Sequence, residues 1–187
     1  MIKILIADDQ ELIRESLKIV IDSNSDMEVI GLAENGKKVL EFLTKNLPDV
    51  ILMDIRMPEL DGVLCTKAIK EKYPDIKIIV LTTFDDDEYI YNALKYGASG
   101  YLLKGCSVQE LTSAICNVMN GNSILNRNIT TKVVKLFNQM AQTNLTIEVD
   151  EKNVADLTRT EKKLLIWLET VFQTKKLPRN YFCRKEL

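Results

Sequence analysis

The chain has 187 residues and a formal net charge of −2, from 25 Lys and Arg against 27 Asp and Glu. Its length and its 46% of apolar residues are enough for one full domain with a buried core and a smaller second domain. The sequence contains no histidine, which excludes Ser-His-Asp and Cys-His catalysis, imidazole zinc sites and a histidine pH switch. The four cysteines form no Cys-x-x-Cys pair, so neither a zinc site nor a disulfide framework is expected.

The first residues and the distribution of charge indicate where the protein works and how it is divided. The apolar run at residues 2–7 is too short for a signal peptide or a membrane span, so we expect a cytoplasmic protein without a membrane partner. Residues 1–120 carry 13 basic and 20 acidic side chains, whereas residues 121–187 carry 12 and 7. An acidic first part and a basic second part indicate two units with different partners.

Short apolar runs alternate with segments of helical spacing over residues 1–120. The runs are rich in Val, Ile and Leu and are predicted to be strands buried on both faces, at residues 2–7, 29–33, 50–53, 78–81 and 101–103. Apolar residues three and four positions apart predict a helix after each strand. Five such units predict an α/β fold, a doubly wound parallel (βα)5 sheet with helices on both faces and right-handed connections.

Polar residues suited to one kind of chemistry follow the predicted strands. They are Asp8 and Asp9 after the first strand, Asp54 after the third, Thr82 at the end of the fourth and Lys104 after the fifth. Open parallel sheets bind ligands at the carboxyl ends of their strands, and three carboxylates form a site suited to Mg²⁺. A carboxylate beside that ion can accept a phosphoryl group, while a lysine and a hydroxyl neutralise the transferred oxygens.

Each of these residues also has a simpler interpretation. An Asp-Asp pair before a helix is typical of a helix N-cap and of a favourable charge at the helix dipole. Asp54 alone is compatible with a loop acid, and a single lysine after a strand is commonly solvated. Four strand ends that each supply the residue type needed for this chemistry favour the phosphoryl-transfer interpretation.

Residues 1–120 resemble the receiver domain of two-component response regulators along their whole length. The sequence Met-Pro-x-x-Asp-Gly at residues 57–62 is highly specific, and the matching segments are Ala7–Asp9, Leu52–Gly62, Leu81–Thr83 and Gly97–Lys104. The resemblance implies a flavodoxin-like receiver domain at residues 1–120, with Mg²⁺ as its cofactor. It also implies that Asp54 accepts a phosphoryl group from a sensor histidine kinase or a small donor.

The resemblance implies a role for each residue of the site. Lys104 would pair with the phosphate, Thr82 would move towards it, and Tyr101 would change rotamer. The face formed by the fourth helix, the fifth strand and the fifth helix would then report phosphorylation. The resemblance further implies that Asp8 and Asp9 hold Mg²⁺, directly or through water, together with Asp54 and the backbone carbonyl of Arg56.

Three further positions bear on this site. Gly105 follows Lys104 where the family commonly has a proline in a cis peptide. A cis bond before a residue other than proline costs about 2.5–4 kcal/mol, so we expect a different loop geometry at Lys104, whose role survives. Arg56 and Phe84 lie two residues beyond Asp54 and Thr82 and are expected to flank the path of the attacking water. A bulky Phe84 is expected to slow hydrolysis of the phosphate.

The tail is predicted to contain a different kind of domain. Residues 121–155 are predicted to be a linker, turn-prone at 123–128 and helical near 130–142. Thr158 and Glu161 have the spacing of a capping box. Residues 157–165 resemble the opening of the helix-turn-helix domain in NarL/FixJ (LuxR-type) regulators. We therefore predict an incomplete helix-turn-helix domain at residues 156–187, whose DNA-binding residues are unknown.

The expected continuation of that domain is missing after Glu169. Residues 170–187 can be encoded by codons that, when read two nucleotides later, give GFPNKEIAKELFLSEGT, close to the family's next helix. We infer a shift of reading frame near Thr170 and expect a truncated tail. Sequencing the gene tests this inference, because the downstream nucleotides must then encode the rest of the domain in another frame.

The sequence leaves three functions open. The favoured one is a response regulator in which phosphorylation of Asp54 switches homodimerisation and, in the intact family, DNA binding and transcription. Such a protein is not an enzyme beyond its own phosphotransfer and slow dephosphorylation. The second is a phosphate sink or dominant-negative dimer partner without specific DNA binding. The third is a Mg²⁺-dependent phosphohydrolase, although the D-x-D-x-[TV] sequence of haloacid-dehalogenase-like enzymes is replaced here by Asp8-Asp9-Gln10.

Overall fold

The structure is a computed structural model that describes residues 1–83 and 86–144. Its strands are β1 (Ile2–Ala7), β2 (Met27–Ala33), β3 (Val50–Met53), β4 (Lys77–Thr82), β5 (Gly100–Leu103) and β6 (Ile124–Leu125). Its helices are α1 (Glu11–Asp22), α2 (Gly36–Leu43), α3 (Gly62–Lys72), α4 (Asp87–Lys95), α5 (Val108–Met119) and α6 (Arg127–Asn144). The predictions for residues 145–187 lie outside the described residues.

All strands belong to one parallel sheet with the order β2-β1-β3-β4-β5-β6. The order along the sheet reverses at β1, so β1 and β3 lie side by side and their carboxyl ends form the crevice where such sheets bind ligands. Residues of α1 and α5 contribute to the core on one face of the sheet, and residues of α2, α3 and α4 contribute to the core on the other. This arrangement confirms the predicted α/β fold and its flavodoxin-like topology.

Alternate residues of each strand point to opposite faces of the sheet, and both faces are buried. In β1, Ile4 and Ile6 belong to the core beneath α1 and α5, whereas Leu5 and Ala7 belong to the core beneath α2 and α3. All four side chains are buried. Burial on both faces explains why the strands are continuous apolar runs in the sequence.

The sequence predicts five strands and a turn at residues 123–128, whereas the sheet has a sixth strand there. Ile124 pairs with Gly100, and Leu125 pairs with Tyr101, in parallel register. A Cβ on Gly100 would lie 3.1 Å from the carbonyl oxygen of Ile124, so the glycine lets the two backbones approach closely. A strand of two residues carries too little periodic signal to be recognised in the sequence.

The connection to β6 differs in hand from those before it. From β3 to β6 the chain moves across the sheet in one direction. The helices α3 and α4 cover one face, but α5 packs on the other, where Leu111 and Ile115 share a core with Leu102. The β5–α5–β6 connection therefore has the opposite hand to β3–α3–β4. Right-handed connections dominate in such sheets. A connection of the opposite hand to a sixth strand is therefore not expected from five βα units in a sequence.

The helices α2, α3 and α5, like α6 below, begin at side chains that accept bonds from backbone N–H groups. Asn35 caps α2, and Asp61 caps α3. Ser107 and Glu110 form a reciprocal capping box at the start of α5. These caps fix where each helix begins relative to the loops at the carboxyl edge of the sheet.

The helix α6 packs on the same face of the sheet as α4. Ile129 is fully buried in a cluster with Ile90 and Ala93 of α4 and with Tyr101 of β5. Val133, one turn later, packs against this cluster. Part of the predicted linker, residues 124–144, is thus formed by β6 and α6. Within the described residues, neither α6 nor any other helix is long and apolar enough to cross a membrane.

Candidate functional site

The carboxyl ends of β1, β3 and β5 bring Asp8, Asp54 and Lys104 into direct contact. The Nζ atom of Lys104 lies 2.6 Å from Oδ2 of Asp8 and 3.0 Å from Oδ2 of Asp54. The three side chains are between 3% and 10% exposed. One ammonium group therefore bridges two buried carboxylates through charge-assisted hydrogen bonds, which are stronger than bonds between neutral groups.

Asp54 is held at both of its carboxylate oxygens. Oδ1 accepts a hydrogen bond from the backbone N–H of Ile55 at 2.8 Å, and Oδ2 accepts one from Lys104. The backbone N–H of Asp54 donates to the carbonyl oxygen of Ala7 at 2.8 Å, which fixes the carboxylate beside β1. A carboxylate has about four acceptor positions, so these two bonds leave capacity for another ligand.

Asp8 is anchored through its side chain and its backbone. Oδ1 accepts a hydrogen bond from the backbone N–H of Gln10 at 2.9 Å, and the carbonyl oxygen accepts one from Nη1 of Arg14 at 2.6 Å. Burial raises the pKa of the Asp8 carboxyl above its ordinary value, although the hydrogen bonds from Lys104 and Gln10 act in the opposite direction. The charged form of Asp8 has lost favourable solvation, so a further cation bound beside it would stabilise that form.

Lys104 is positioned by β4 as well as by the two carboxylates. Burial acts to lower the pKa of its ammonium group, but the hydrogen bonds to Asp8 and Asp54 outweigh burial and raise the pKa. The backbone N–H of Lys104 donates to the carbonyl oxygen of Thr82 at 2.8 Å. No peptide bond within residues 1–83 and 86–144 is cis. The bond between Lys104 and Gly105 is thus trans, and Lys104 reaches both carboxylates from that geometry.

Three carboxylates at this edge fit a divalent cation. Asp8, Asp9 and Asp54 each offer one carboxylate oxygen, and these oxygens lie within 4.8 Å of one another. Asp8 and Asp54 are buried, whereas Asp9 is exposed, so the cluster opens to solvent at Asp9. A set of oxygen donors at an open edge suits Mg²⁺, which retains several waters and takes one or two carboxylates.

The loop after Asp54 requires a glycine at residue 62. A Cβ on Gly62 would lie 1.9 Å from the carbonyl oxygen of Asp54, a separation that two non-bonded atoms cannot adopt. The backbone N–H of Gly62 donates to the carbonyl oxygen of Ile55 at 2.8 Å. The glycine of the Met-Pro-x-x-Asp-Gly sequence therefore allows α3 to begin directly against the backbone of Asp54.

A second contact holds the outer part of the same loop. Glu59 has a φ of 64°, in the left-handed region that few residues other than glycine adopt. Its Oε1 accepts a hydrogen bond from Nδ2 of Asn35 at 3.0 Å, and the N–H of Gly36 donates to the carbonyl oxygen of Leu60 at 3.1 Å. Asn35 is buried and also caps α2. It therefore joins the start of α2 to the loop that follows Asp54.

Thr82 and Tyr101 are both fully buried. Thr82 ends β4, between the ends of the strands that precede Asp54 and Lys104. Tyr101 lies further from the edge, between Val80 of β4 and Leu125 of β6. The structure thus places Thr82 at the carboxylate edge and Tyr101 below it on the same face of the sheet.

Arg56 and Phe84 are predicted to flank the attacking water, and the structure describes Arg56 but not Phe84. Arg56 is exposed, and its guanidinium carbon lies 5.6 Å from the centre of the Tyr89 ring of α4. This cation–π contact joins the loop after β3 to α4. Phe84 lies outside the described residues, so its effect on phosphate lifetime stays a prediction.

Sequence reasoning missed three residues that shape this site: Arg14, Asn35 and Glu59. Arg14 lies on a polar helix face and Glu59 in a polar loop, patterns that are typical of solvated side chains. Asn35 carried a usable signal, because an asparagine directly before a helical pattern is typical of an N-cap. No sequence signal indicates that its amide also bonds to Glu59.

The parallel sheet and the acidic edge beside Lys104 define a class of protein. Residues 4–116 match the family described as the response regulator receiver domain. The chain belongs to this family, which confirms the resemblance found in the sequence.

Known relatives of the chain are bacterial transcriptional regulators of the NarL/DegU type. The chain is 38% identical over 166 residues to the transcriptional regulatory protein LnrK of Bacillus subtilis, covering 88% of this chain and 76% of LnrK. It is 38% identical over 139 residues to DegU of Brevibacillus brevis, covering 74% and 59%. It is 36% identical over 143 residues to the oxygen regulatory protein NreC of Staphylococcus epidermidis, covering 76% and 66%. The chain therefore spans less than two thirds of DegU and NreC.

Solved structures share the fold. The receiver domain of the putative response regulator NarL from Mycobacterium tuberculosis has a TM-score of 0.61 and 30% identity, covering 65% of this chain and 98% of that one. A LuxR-family response regulator from Aurantimonas sp. SI85-9A1 has a TM-score of 0.68 and 23% identity, covering 72% and 96%. These structures confirm the receiver fold. The predicted helix-turn-helix segment lies outside the residues that the present structure describes.

Proposed function

We propose that this chain is a response regulator in which Asp54 accepts a phosphoryl group from a sensor histidine kinase, with Mg²⁺ as cofactor. The observation that carries the proposal is the bridge from Lys104 to Asp8 and Asp54 at the carboxyl edge, beside Asp9. The bridge orients one oxygen of Asp54. It also supplies a positive charge where the transferred oxygens develop negative charge.

In the proposed reaction Asp54 is the nucleophile. An oxygen of its carboxylate forms a bond to phosphorus while the bond between phosphorus and the imidazole nitrogen of the donor breaks, and that nitrogen keeps the electron pair. Lys104 moves its hydrogen bond from Asp54 to a phosphoryl oxygen, and the hydroxyl of Thr82 donates to another. Lys104 is already held beside Asp54 and therefore needs little reorganisation, whereas Thr82 moves towards the phosphoryl group.

Mg²⁺ when bound offsets the negative charge on the phosphoryl oxygens. The residues proposed to hold it are Asp8, Asp9, Asp54 and the backbone carbonyl of Arg56. Burial of Asp8, which raises its pKa, supports this assignment, because a bound cation restores the stabilisation that water no longer gives. Arg56 and Phe84 are proposed to influence how long the phosphate lasts.

Phosphorylation is proposed to act through Thr82 and Tyr101 on homodimerisation, and through dimerisation on DNA binding and transcription. Relatives named as transcriptional regulatory proteins support this output. A structural neighbour, RcsB of 23% identity, is described as two dimers bound to two parallel DNAs. For this chain, DNA binding would depend on residues beyond those that the structure describes, and the cytoplasm is the proposed location.

Treatment of the full chain with acetyl phosphate and Mg²⁺ tests the phosphoacceptor. We expect a mass gain of one phosphoryl group per chain, which is absent in Asp54→Ala and retained in Asp75→Ala, an exposed aspartate away from the edge. Labelling of Asp54→Ala would overturn the assignment. Light scattering on the same samples tests dimerisation, which we expect to depend on Asp54.

A turnover measurement separates the receiver from the phosphohydrolase alternative. With a small phosphomonoester in excess and Mg²⁺ present, a receiver releases little phosphate beyond its stoichiometric label. Repeated turnover that requires Asp54 would favour the phosphohydrolase. Phosphorylation and dimerisation without operator binding would identify the phosphate sink or dominant-negative partner.

A further inference from the structure

We infer that Ile129 of α6 is a positioning residue that holds Tyr101 in its buried orientation, so that docking of α6 and phosphorylation of Asp54 favour each other. The inference rests on the proposed function, in which Tyr101 responds to phosphorylation. It adds a residue outside the five βα units to the switch. It also gives α6 a regulatory role.

Tyr101 is enclosed because the sheet continues beyond β5. In the parallel register Tyr101 lies beside Val80 on one side and Leu125 on the other. Registered partners in neighbouring strands point to the same face of a sheet, so the ring lies on the face that carries α4 and α6. Without β6 and α6, β5 would be an edge strand. With β6 and α6 in place, Tyr101 is fully buried, which indicates that these two elements complete its enclosure.

A single packed cluster connects Asp54 with α6. The backbone N–H of Ile55 donates to Oδ1 of Asp54 at 2.8 Å. The side chain of Ile55 belongs to the same cluster as Tyr101 and Ile129, and all three are fully buried. Because protein interiors are packed close to the density of crystals, a change in position at one end of such a cluster alters the packing at the other.

Attachment of α6 depends on its first turns. Among the α6 side chains that the structure describes, Ile129 is the only one that is buried. Its backbone N–H also donates to Oδ1 of Asn126 at 2.9 Å. Val133 is partly buried, whereas Val134 is 54% exposed. The helix is thus fixed to the sheet chiefly where it covers the Tyr101 cluster.

Whether phosphorylation favours or opposes docking of α6 follows from the space that Thr82 and Tyr101 share on one face of the sheet. Thr82 pairs with Leu103, two residues from Tyr101, and therefore lies on the same face of the sheet. When Thr82 moves towards a phosphoryl group on Asp54, it vacates space on that face, and a buried tyrosine ring fills this space. Ile129 favours the buried ring orientation because it packs in the same buried cluster as Tyr101. Phosphorylation and docking of α6 therefore stabilise one state, and the coupling is reciprocal.

Binding of beryllofluoride with Mg²⁺ to the full chain tests the coupling. By calorimetric titration we expect Ile129→Ala to raise the Kd by about fivefold or more. The matched control Val134→Ala, a truncation at an exposed site of the same helix, is expected to leave the Kd unchanged. Ile129→Val, which keeps most of the buried volume, is expected to bind nearly as the original chain does. Equal Kd values for Ile129→Ala and the original chain would overturn the inference.

A double-substitution experiment tests whether Ile129 acts through Tyr101. In a Tyr101→Ala background, the further change Ile129→Ala is expected to leave the Kd unchanged, whereas a second loss of the same size would exclude positioning through Tyr101. The original chain and Asp54→Ala separate this inference from the proposed function. Binding that is absent from the original chain, or unaffected by Asp54→Ala, overturns the proposed function itself.

Hydrogen exchange of the original chain keeps the inference testable if Ile129→Ala does not fold. Beryllofluoride with Mg²⁺ is expected to slow exchange of the α6 amides from Ile129 to Phe137 severalfold. The amides in the last turn of α1, which packs on the opposite face of the sheet and lies outside the Tyr101 cluster, serve as the internal control. Unchanged or faster exchange in α6 would overturn the inference.

Discussion

Lys104 reaches from the end of β5 past β4 to Asp54 at the end of β3, where its Nζ lies 3.0 Å from Oδ2. The same ammonium lies 2.6 Å from Asp8. Two of the three carboxylates that fit a divalent cation are therefore already neutralised in part by Lys104. Lys104 and Mg²⁺ are both attracted to these carboxylates, and they repel each other.

We predict that Lys104→Met tightens Mg²⁺ binding while it impairs phosphorylation. A unit charge a few ångströms from the ion costs on the order of 1 kcal/mol even at the dielectric constant of water, so the Kd for Mg²⁺ is expected to fall about fivefold or more. Calorimetric titration with Mg²⁺ measures this, and Lys95→Met in α4, an exposed lysine, is the control. A weaker or unchanged affinity would show that Lys104 does not oppose the ion.

The pH dependence of stability is predicted to carry a signature of Asp8. Because burial raises the pKa of its carboxyl above the ordinary 3.8, the folded protein binds this proton more tightly than the unfolded chain does. The contribution of this tighter proton binding to the free energy of unfolding is fully present below pH 3.8 and is lost as the pH rises through the raised pKa of Asp8. We therefore compare the free energies of unfolding of the original chain and of Asp8→Asn. The difference in favour of the original chain is expected to fall as the pH rises from 3.8 through the raised pKa, and then to level off. Urea unfolding in the presence of EDTA measures it, and a difference that rises with pH would contradict the prediction.

Much of the site could be predicted because its chemistry lies at strand ends. Asp54 and Lys104 each follow a continuous apolar run, and a parallel sheet necessarily gathers such ends at one edge. The bond between Asn35 and Glu59 could not be predicted, because it joins two loops whose approach depends on the tertiary fold. The strand β6 was missed because Ile124 and Leu125 form no periodic pattern.

We predict that Gly62→Ala is strongly destabilising and that Gly105→Ala is not. A Cβ at residue 62 would lie 1.9 Å from the carbonyl oxygen of Asp54, whereas one at residue 105 would have no atom within 4 Å. The first change forces the backbone beneath Asp54 to move and is expected to cost at least about 3 kcal/mol. The second is expected to alter the free energy of unfolding by less than about 0.5 kcal/mol. Urea unfolding compares the two, and similar losses would contradict the assigned role of Gly62.

The cysteines are predicted to differ widely in reactivity. Burial raises the pKa of the Cys65 thiol to about 12, whereas Cys116 is exposed. At pH 8 a thiol with that pKa is ionised in roughly one molecule in ten thousand, and the thiolate is the reactive form. Iodoacetamide followed by peptide mass spectrometry is expected to modify Cys116 early and Cys65 only after urea is added. Equal rates without urea would show that Cys65 is accessible in the folded protein.

The contact between Asn35 and Glu59 is predicted to support both α2 and the loop after Asp54. Asn35→Ala removes the cap of α2 and the hydrogen bond to Glu59 together, and is expected to cost about 1–2 kcal/mol in the free energy of unfolding. Asn35→Asp keeps an acceptor for the N–H groups of α2 but replaces the amide donor with a carboxylate facing Glu59.

Combining Asn35→Asp with Glu59→Gln reverses the direction of this hydrogen bond, because the new amide at residue 59 can donate to the new carboxylate at residue 35. We therefore expect the double substitution to recover most of the stability that Asn35→Asp loses, as measured by urea unfolding. Beryllofluoride affinity should recover in parallel, since the same loop carries Arg56 and leads to Gly62. The effects of Asn35→Asp and Glu59→Gln on the free energy of unfolding are also measured separately. If they add up to the effect of the double substitution, the two residues do not interact, and the cap of α2 alone accounts for the effect of Asn35.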